Sequence, residues 1–398
     1  MRRFRFGDVI VDEAAPNFQN TLALARRRQI RPLCLCREPG VSMYIARVAD
    51  QYVVKRMPLS GGGHDSTCAS YEPPDDLSGL GALVGNAIHV DGDTGTSALK
   101  LGFSLTKVGP RARQVAGSGD SATVVGLTGK LSLRSVLNYL WHQAELTAWT
   151  SRWTGKRHWW NIRWHLLEAA GQMTVRSAPL SDVLFVPEPF RAADKAALEK
   201  RRAAALSGAL PPRTGPRKLM ILIGEIKKFE PTRNGHRMLI KHLPDFPFML
   251  HDKLYSRLLT RFENEFALSD ADQGSHLLAI ATFGLTPAGL AIVEEMALMV
   301  VSDNWVPYET VYEKKLLDAL AGVRERSIKG LRYALAPQAP IASVLLQKQQ
   351  PVALYIVPAT ADDEYEEELR SLIASRPEID AWIWRVADGG MPSLPLSR

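Results

Sequence analysis

Three thiols and one imidazole fall close together near the start of the chain: Cys34-Leu35-Cys36, then His64 and Cys68. They are all 3 cysteines of a 398-residue sequence, so the set uses every thiol present and completes a tetrahedral ligand sphere for zinc. In an extended segment alternate side chains share a face, which lets Cys34 and Cys36 point one way while Leu33 and Leu35 point the other. Gly61-Gly62-Gly63 lets the backbone before His64 wrap toward an ion. Four protein ligands leave no open position for a reactive water, so the expectation is a structural zinc. Two other readings stay open: buried thiols with an unrelated histidine, and a Cys34/Cys36 redox pair.

A second constellation could do chemistry. Glu225-Ile226-Lys227 on a strand, with Asp182 opening the strand Val183 to Val186 and Glu168 on the helix before it, has the order of a restriction-endonuclease-like nuclease. There the two carboxylates, Asp182 and Glu225, would hold Mg²⁺, and Lys227 would orient the attacking water. A solvent-facing strand of ion pairs is the alternative.

Charge is uneven along the chain. Residues 1 to 60 and 130 to 202 each carry a balance of +6, while the part from 270 onward carries −7, within a net charge of +7. Such a division suggests a half that faces a polyanion, most commonly nucleic acid. The candidate phosphate contacts are Arg26, Arg27, Arg28, Arg47 and Lys55, with Arg152, Lys156, Arg157 and Arg163 in a segment that also holds six tryptophans between Trp141 and Trp164. The plainer readings are solvated basic faces and core tryptophans. The acidic helix from Asp362 suggests a docking surface for a basic protein partner, which would make the chain an assembly adaptor.

The elements that must position these residues follow from periodicity. Met43 to Val48 and Tyr52 to Arg56 read as strands joined at Ala49-Asp50-Gln51. Leu133, Val136, Leu137, Leu140 and Trp141 put an amphipathic helix over 132 to 145. A second helix over 158 to 170, followed by a hairpin of 173–177 with 183–186, would complete a winged-helix-like middle facing phosphate. Leu210 to Pro216 reads as a linker, and Asn234-Gly235 as a hairpin turn. A helix over 252–266 and strands over 277–285 and 290–301 follow. In the last part, a helix over 309–323, strands over 331–335, 343–346 and 352–357, a helix over 362–374 and a strand over 381–386 give the order αβββαβ. That is the order of an endonuclease-like core, here with no catalytic set on its strands.

The expected fold is therefore α+β and multidomain. A zinc-binding, β-rich module would span 1–128, the basic helical middle 129–209, a hairpin-containing α+β region 210–304 and the nuclease-like domain 305–398. No run of apolar residues is long enough for a membrane span, and Asp8, Asp12 and Glu13 follow the basic N-terminus where a secretory signal would be apolar. A cytoplasmic protein with reduced cysteines is expected. Phosphate-binding P-loop, dinucleotide-binding glycine, His-Glu-x-x-His and Gly-x-Ser-x-Gly motifs are all missing from the sequence.

Several local strings occur together: Cys34-Leu35-Cys36, His64-x-x-x-Cys68 followed by Ser70-Tyr71-Glu72-Pro73, and Gly155-Lys156-Arg157. Further on come Phe185-Val186-Pro187-Glu188, Gly224-Glu225-Ile226-Lys227 and Lys241-His242-Leu243-Pro244. The combination resembles domain-of-unknown-function family 1173, nearly end to end. The resemblance implies a protein carried on proteobacterial chromosomes, plasmids and integrative elements, and no assigned activity. With the charge map, it leads to the expectation of a zinc-containing, nucleic-acid-binding accessory protein of a mobile element, binding mainly through phosphates.

Overall fold

The computed structural model describes residues 2–48, 51–91, 94–107, 129–212, 214–333, 335–336 and 339–396. Ala49 and Asp50 of the expected turn, Arg213 of the expected linker and Ala334 of an expected strand lie outside these.

The N-terminal unit is a sheet in the order Val9–Asp12, Arg3–Phe6, Leu33–Cys34, Val41–Val48, Gln51–Arg56. Phe4, Phe6 and Met43 on the sheet meet Phe18 and Leu22 of the helix Phe18–Arg27, and Cys34 and Cys68 close the same core.

The centre of the molecule is a ring of strands. Met220–Thr232 runs antiparallel to Gly235–Ile240 and, in its first half, to His276–Leu285. Gly235–Ile240 pairs with Leu243–Leu250, which pairs in parallel with Ala291–Val301, which returns to His276–Leu285. Taken in chain order, the ring reads 1-2-3-5-4-1, with the helices Asp252–Arg261 and Glu263–Ala271 between its third and fourth strands. This is the Greek-key connectivity of a small five-stranded OB-type barrel. Closure leaves the long first strand without a free edge, and a bulge between Ile226 and Lys228 lets it turn from one partner to the other. Residues 220 to 225 are buried on both faces, and the helix Leu133–Gln143 packs beside them on the strands His276–Leu285 and Ala291–Val301. Thr232 pairs with Gly235, so the hairpin turns on Arg233-Asn234, one residue earlier than the sequence suggests. Gly235 itself is required there: its φ is +136°, and a Cβ would meet Leu250 O at 2.3 Å.

The C-terminal sheet runs Asp380–Arg385, Val352–Val357, Val344–Gln347, Arg326–Lys329, Ala148–Trp149. Period-two burial sets its two faces: Val344, Leu346, Val352 and Leu354 pack on the helix Val311–Ala321, and Leu345, Ala353, Tyr355 and Val357 pack on Asp363–Ala374 and on Tyr71 and Leu77. The helix–three strands–helix–strand order is as expected. The first of these strands lies at Arg326–Lys329 and not at 331–335.

Several expectations are corrected. Met173–Val175 pairs with Ala178–Pro179 and, in parallel, with Ser97–Leu99. Leu184–Phe185 instead pairs with the barrel strand at Ile221–Leu222, so 173–177 and 183–186 form no wing. One continuous core runs from Leu80 to Tyr333, across the expected boundaries at 128/129, 209/210 and 304/305. Trp149 carries the helical middle into the C-terminal sheet by pairing with Ser327. The helix expected over 252–266 breaks at Phe262 into two. The architecture is α+β. No helix among the described residues is long and apolar enough to cross a membrane.

Candidate functional site

Cys34 ends a short strand, Cys36 follows in the turn, and the chain returns through the helical turn Gly61–Gly63 to His64 and Cys68. The four ligand atoms lie within 4.8 Å of one another. Cys34 Sγ is 3.8 Å from Cys68 Sγ, and His64 Nδ1 is 3.2 Å from Cys36 Sγ and 3.7 Å from Cys68 Sγ. A tetrahedral zinc with Zn–S near 2.3 Å and Zn–N near 2.0 Å implies edges of about 3.8 Å between sulfurs and about 3.5 Å between sulfur and nitrogen. These three distances are close to the edges of a zinc sphere, and the set could hold a metal ion, compatible with zinc. His64 is fully buried, and its Nε2 has no hydrogen-bond partner among the described residues, so the ring is placed by the sulfurs alone. Backbone N–H groups of Asp65 and Ser70 point at Cys36 Sγ and Cys68 Sγ at 3.5 and 3.4 Å, which favours thiolates. The hydrogen bond from Cys34 holds the Cys68 thiol down to about 3, and the same contact pushes Cys34 up.

Beside this module lies a cavity of about 690 Å³. Its walls come from Thr67 and Ala69 flanking Cys68, from the segment 144–165, and from the ends of two strands of the C-terminal sheet and the residues beside them, Arg324 with Arg326 and Gln347 with Lys348 and Gln349. Gln347 Nε2 donates to Ser66 O at 2.9 Å and to Cys68 O, tying the ligand loop to the sheet. Six cations line the space, Arg152, Lys156, Arg157, Arg324, Arg326 and Lys348, against one carboxylate, Glu145. Their availability differs. Arg157 donates to Leu146 O and Asn304 O at 3.0 and 3.1 Å and to Ala148 O, which makes it a structural clamp. Arg326 bonds Tyr71 O and Gln347, and Lys348 bonds Pro395 O. Arg152, Lys156 and Arg324 make no side-chain hydrogen bond or ion pair among the described residues.

Glu145 reaches the cavity by an unusual route. The helix Leu133–Gln143 ends in a Schellman motif, with Leu146 N–H on Trp141 O and Glu145 N–H on His142 O, and Glu145 takes the left-handed position at φ 59°. Glycine is the usual occupant, and a β-carbon there costs about 1 kcal/mol. The carboxylate so placed lies 3.5 Å from Arg56. Arg56 also pairs with buried Glu72, which accepts from His142 Nε2 at 2.9 Å. Burial would raise the Glu145 carboxyl, but Arg56, Lys55 and Arg326 hold it at about 2. Burial likewise opposes ionisation of Glu72, and Arg56 with His142 holds it below the ordinary range. Burial, then Lys55, pushes His165 down to about 4.

These shifts share a sign. The unfolded chain takes up protons that the folded chain resists, at His165 from its ordinary 6.5 downward and at the two carboxylates from about 4.5 downward. Stability is expected to be full above pH 6.5, to fall between 6.5 and 4 as the unfolded histidine protonates, and to fall again below 4.5. Urea midpoints across this range check it. In His165→Gln the upper step should shrink, and a midpoint that rises on acidification would contradict the assignment.

The other anticipated residues are dispersed. Lys55 pairs with Glu168, Arg163 donates to Val186 O at 3.0 Å, and Arg26 donates to Ile45 O at 2.7 Å. Arg27, Arg28 and Arg47 are exposed on the N-terminal unit, away from the cavity lining. Glu225 is 5% exposed and accepts from Lys241 at 2.9 Å and from His276 Nδ1 at 2.7 Å. Lys227 is the exposed bulge residue. Asp182 lies before the strand whose Leu184 pairs in parallel with Ile221, so Glu225 stands about 13 Å of strand rise beyond that level, in the opposite direction. The structure does not bring Asp182 and Glu225 together around one ion. Arg324, Arg326, Lys348 and Glu145 are the charged residues of the lining that sequence reasoning missed.

No curated protein and no solved structure matches the chain. The model of a family described as a protein of unknown function, DUF1173, matches residues 4–387, nearly the whole length, and the chain belongs to that family.

Proposed function

We propose that this protein is a nucleic-acid-binding accessory factor that holds phosphates in the basic cavity, with a structural zinc at Cys34, Cys36, His64 and Cys68 fixing one wall. The observation that carries this reading is that six cations line one cavity against a single carboxylate, Glu145, which pairs with Arg56, and that Arg152, Lys156 and Arg324 have no ion-pair partner among the described residues. Three unneutralised cations facing one space are electrostatically costly and become favourable when an anion releases its counterions to enter. The barrel agrees by analogy only, since OB-type barrels serve elsewhere in oligonucleotide binding.

The test uses the full-length protein and a fluorescently labelled oligonucleotide titrated at several salt concentrations. Steep salt dependence is expected. In Arg152→Ala/Lys156→Ala/Arg324→Ala, affinity should fall about 100-fold at low salt, and the slope of log K against log salt should become shallower by about 2. All three residues are exposed, so the fold should be unaffected. Binding that is absent, or identical in the variant, would overturn the proposal.

A further inference from the structure

Eight of the 9 tryptophans have an assigned place or lie away from the cavity lining, and Trp153 does not. Trp141, Trp149, Trp159, Trp382 and Trp384 each donate their indole N–H to a backbone carbonyl. Trp164 packs on His165, and Trp305 on His276. Trp160 is exposed on the helix Trp159–Gly171 and does not line the cavity. Trp153 lines it, is 43% exposed, and has no hydrogen bond from its indole and no aromatic or cationic partner among the described residues. The short turn Ser151–Trp153 places it next to Arg152 and three residues before Lys156, both of which line the same cavity.

Alternation of a bare indole with cations suits one chemistry in particular. A base stacks on the ring while the phosphates on either side of it meet the charges. The lining also offers a polar group for a base edge: among the described residues Asn161 uses only its carbonyl oxygen, on His158 N–H, which leaves its amide N–H₂ without a partner. Size narrows the choice further. A volume of about 690 Å³ corresponds to a cube about 9 Å on a side, whereas a whole duplex is wider than its own major groove, which already measures about 12 Å. Unpaired nucleotides can enter this space, and a double helix cannot.

We infer that the cavity binds unpaired nucleotides of a nucleic-acid strand, with a base on Trp153 and the neighbouring phosphates on Arg152, Lys156 and Arg324. This inference rests on the phosphate-binding reading above and adds to it the selection of single strands. A duplex can meet only the outer cations, and it gains nothing from the indole.

The experiment compares an oligothymidylate with a blunt duplex carrying the same number of phosphates, titrated into the full-length protein and into Trp153→Ala and Trp153→Phe. Wild type is expected to bind the single strand at least tenfold more tightly. Trp153→Ala should lose about tenfold on the single strand and nothing on the duplex, and Trp153→Phe should recover much of that loss. Circular dichroism checks that both variants remain folded. Equal affinity for the two forms, or a single-strand affinity unchanged in Trp153→Ala, would overturn the stacking inference while the triple cation variant still reports on phosphate binding. If neither nucleic acid binds, both readings fall together.

Discussion

Cys34→Ser is expected to lose its metal and about 3–5 kcal/mol of folding stability. Cys34 is 1% exposed and sits in the core with Phe4, Met43 and Cys68, so its sulfur belongs at once to the ligand set and to the packing of the N-terminal unit. Serine offers zinc a poor ligand and places an unpaired hydroxyl among apolar side chains. Wild-type protein should carry one metal ion per chain by elemental analysis, and a chelator should lower its urea midpoint toward that of the variant. The effect should also travel. The loop through Ser66 and Cys68 is tied to the C-terminal sheet by Gln347 and forms one wall of the cavity, so nucleic-acid affinity should fall although no cation has been removed. Metal-free wild-type protein with a stability indifferent to chelator would instead support plain buried thiols. A stability that answered to reductant would support the redox pair.

The ligand set was legible because thiols are scarce and this chain places all of them within one short stretch. The barrel was not. Its strands could be read individually from apolar runs and from Asn234-Gly235, but closure depends on residues 220–225 meeting 278–283 and on the parallel pairing of Phe248 with Ala291. No local window contains either contact. Cationic residues were legible as charge and illegible as role. Arg157 reads as a phosphate contact until the fold surrounds its guanidinium with three carbonyls, whereas its neighbour Lys156 stays free. Arg324 escaped notice because the strand that delivers it to the cavity lies some five residues earlier than its hydrophobic pattern suggested. Glu225-Ile226-Lys227 illustrates the converse. A short motif fixed the order of its residues along the chain, and the parallel register of Leu184 with Ile221 then separated the two carboxylates in space.

Glu72→Ala is expected to cost about 3–5 kcal/mol, on the scale of the metal itself. Arg56 and Glu72 are each 4% exposed, and Glu72 pairs with Arg56 and accepts a hydrogen bond from His142. Truncation leaves a buried guanidinium whose remaining carboxylate, Glu145, is 3.5 Å away and half open to the cavity. The control is the paired replacement Arg56→Met/Glu72→Leu, which removes both charges and keeps the volume. Buried ion pairs often contribute little net stability over apolar residues of the same shape, so this variant should unfold close to wild type while Glu72→Ala does not. The two outcomes separate charge from packing, because equal losses in both variants would mean that shape alone holds this junction. Arg56 ends the last strand of the sheet that carries Cys34, and His142 lies in the last turn of the helix that leads to Glu145. The expected difference between single and paired replacement would therefore locate, in free energy, the joint that docks the N-terminal unit against the cavity.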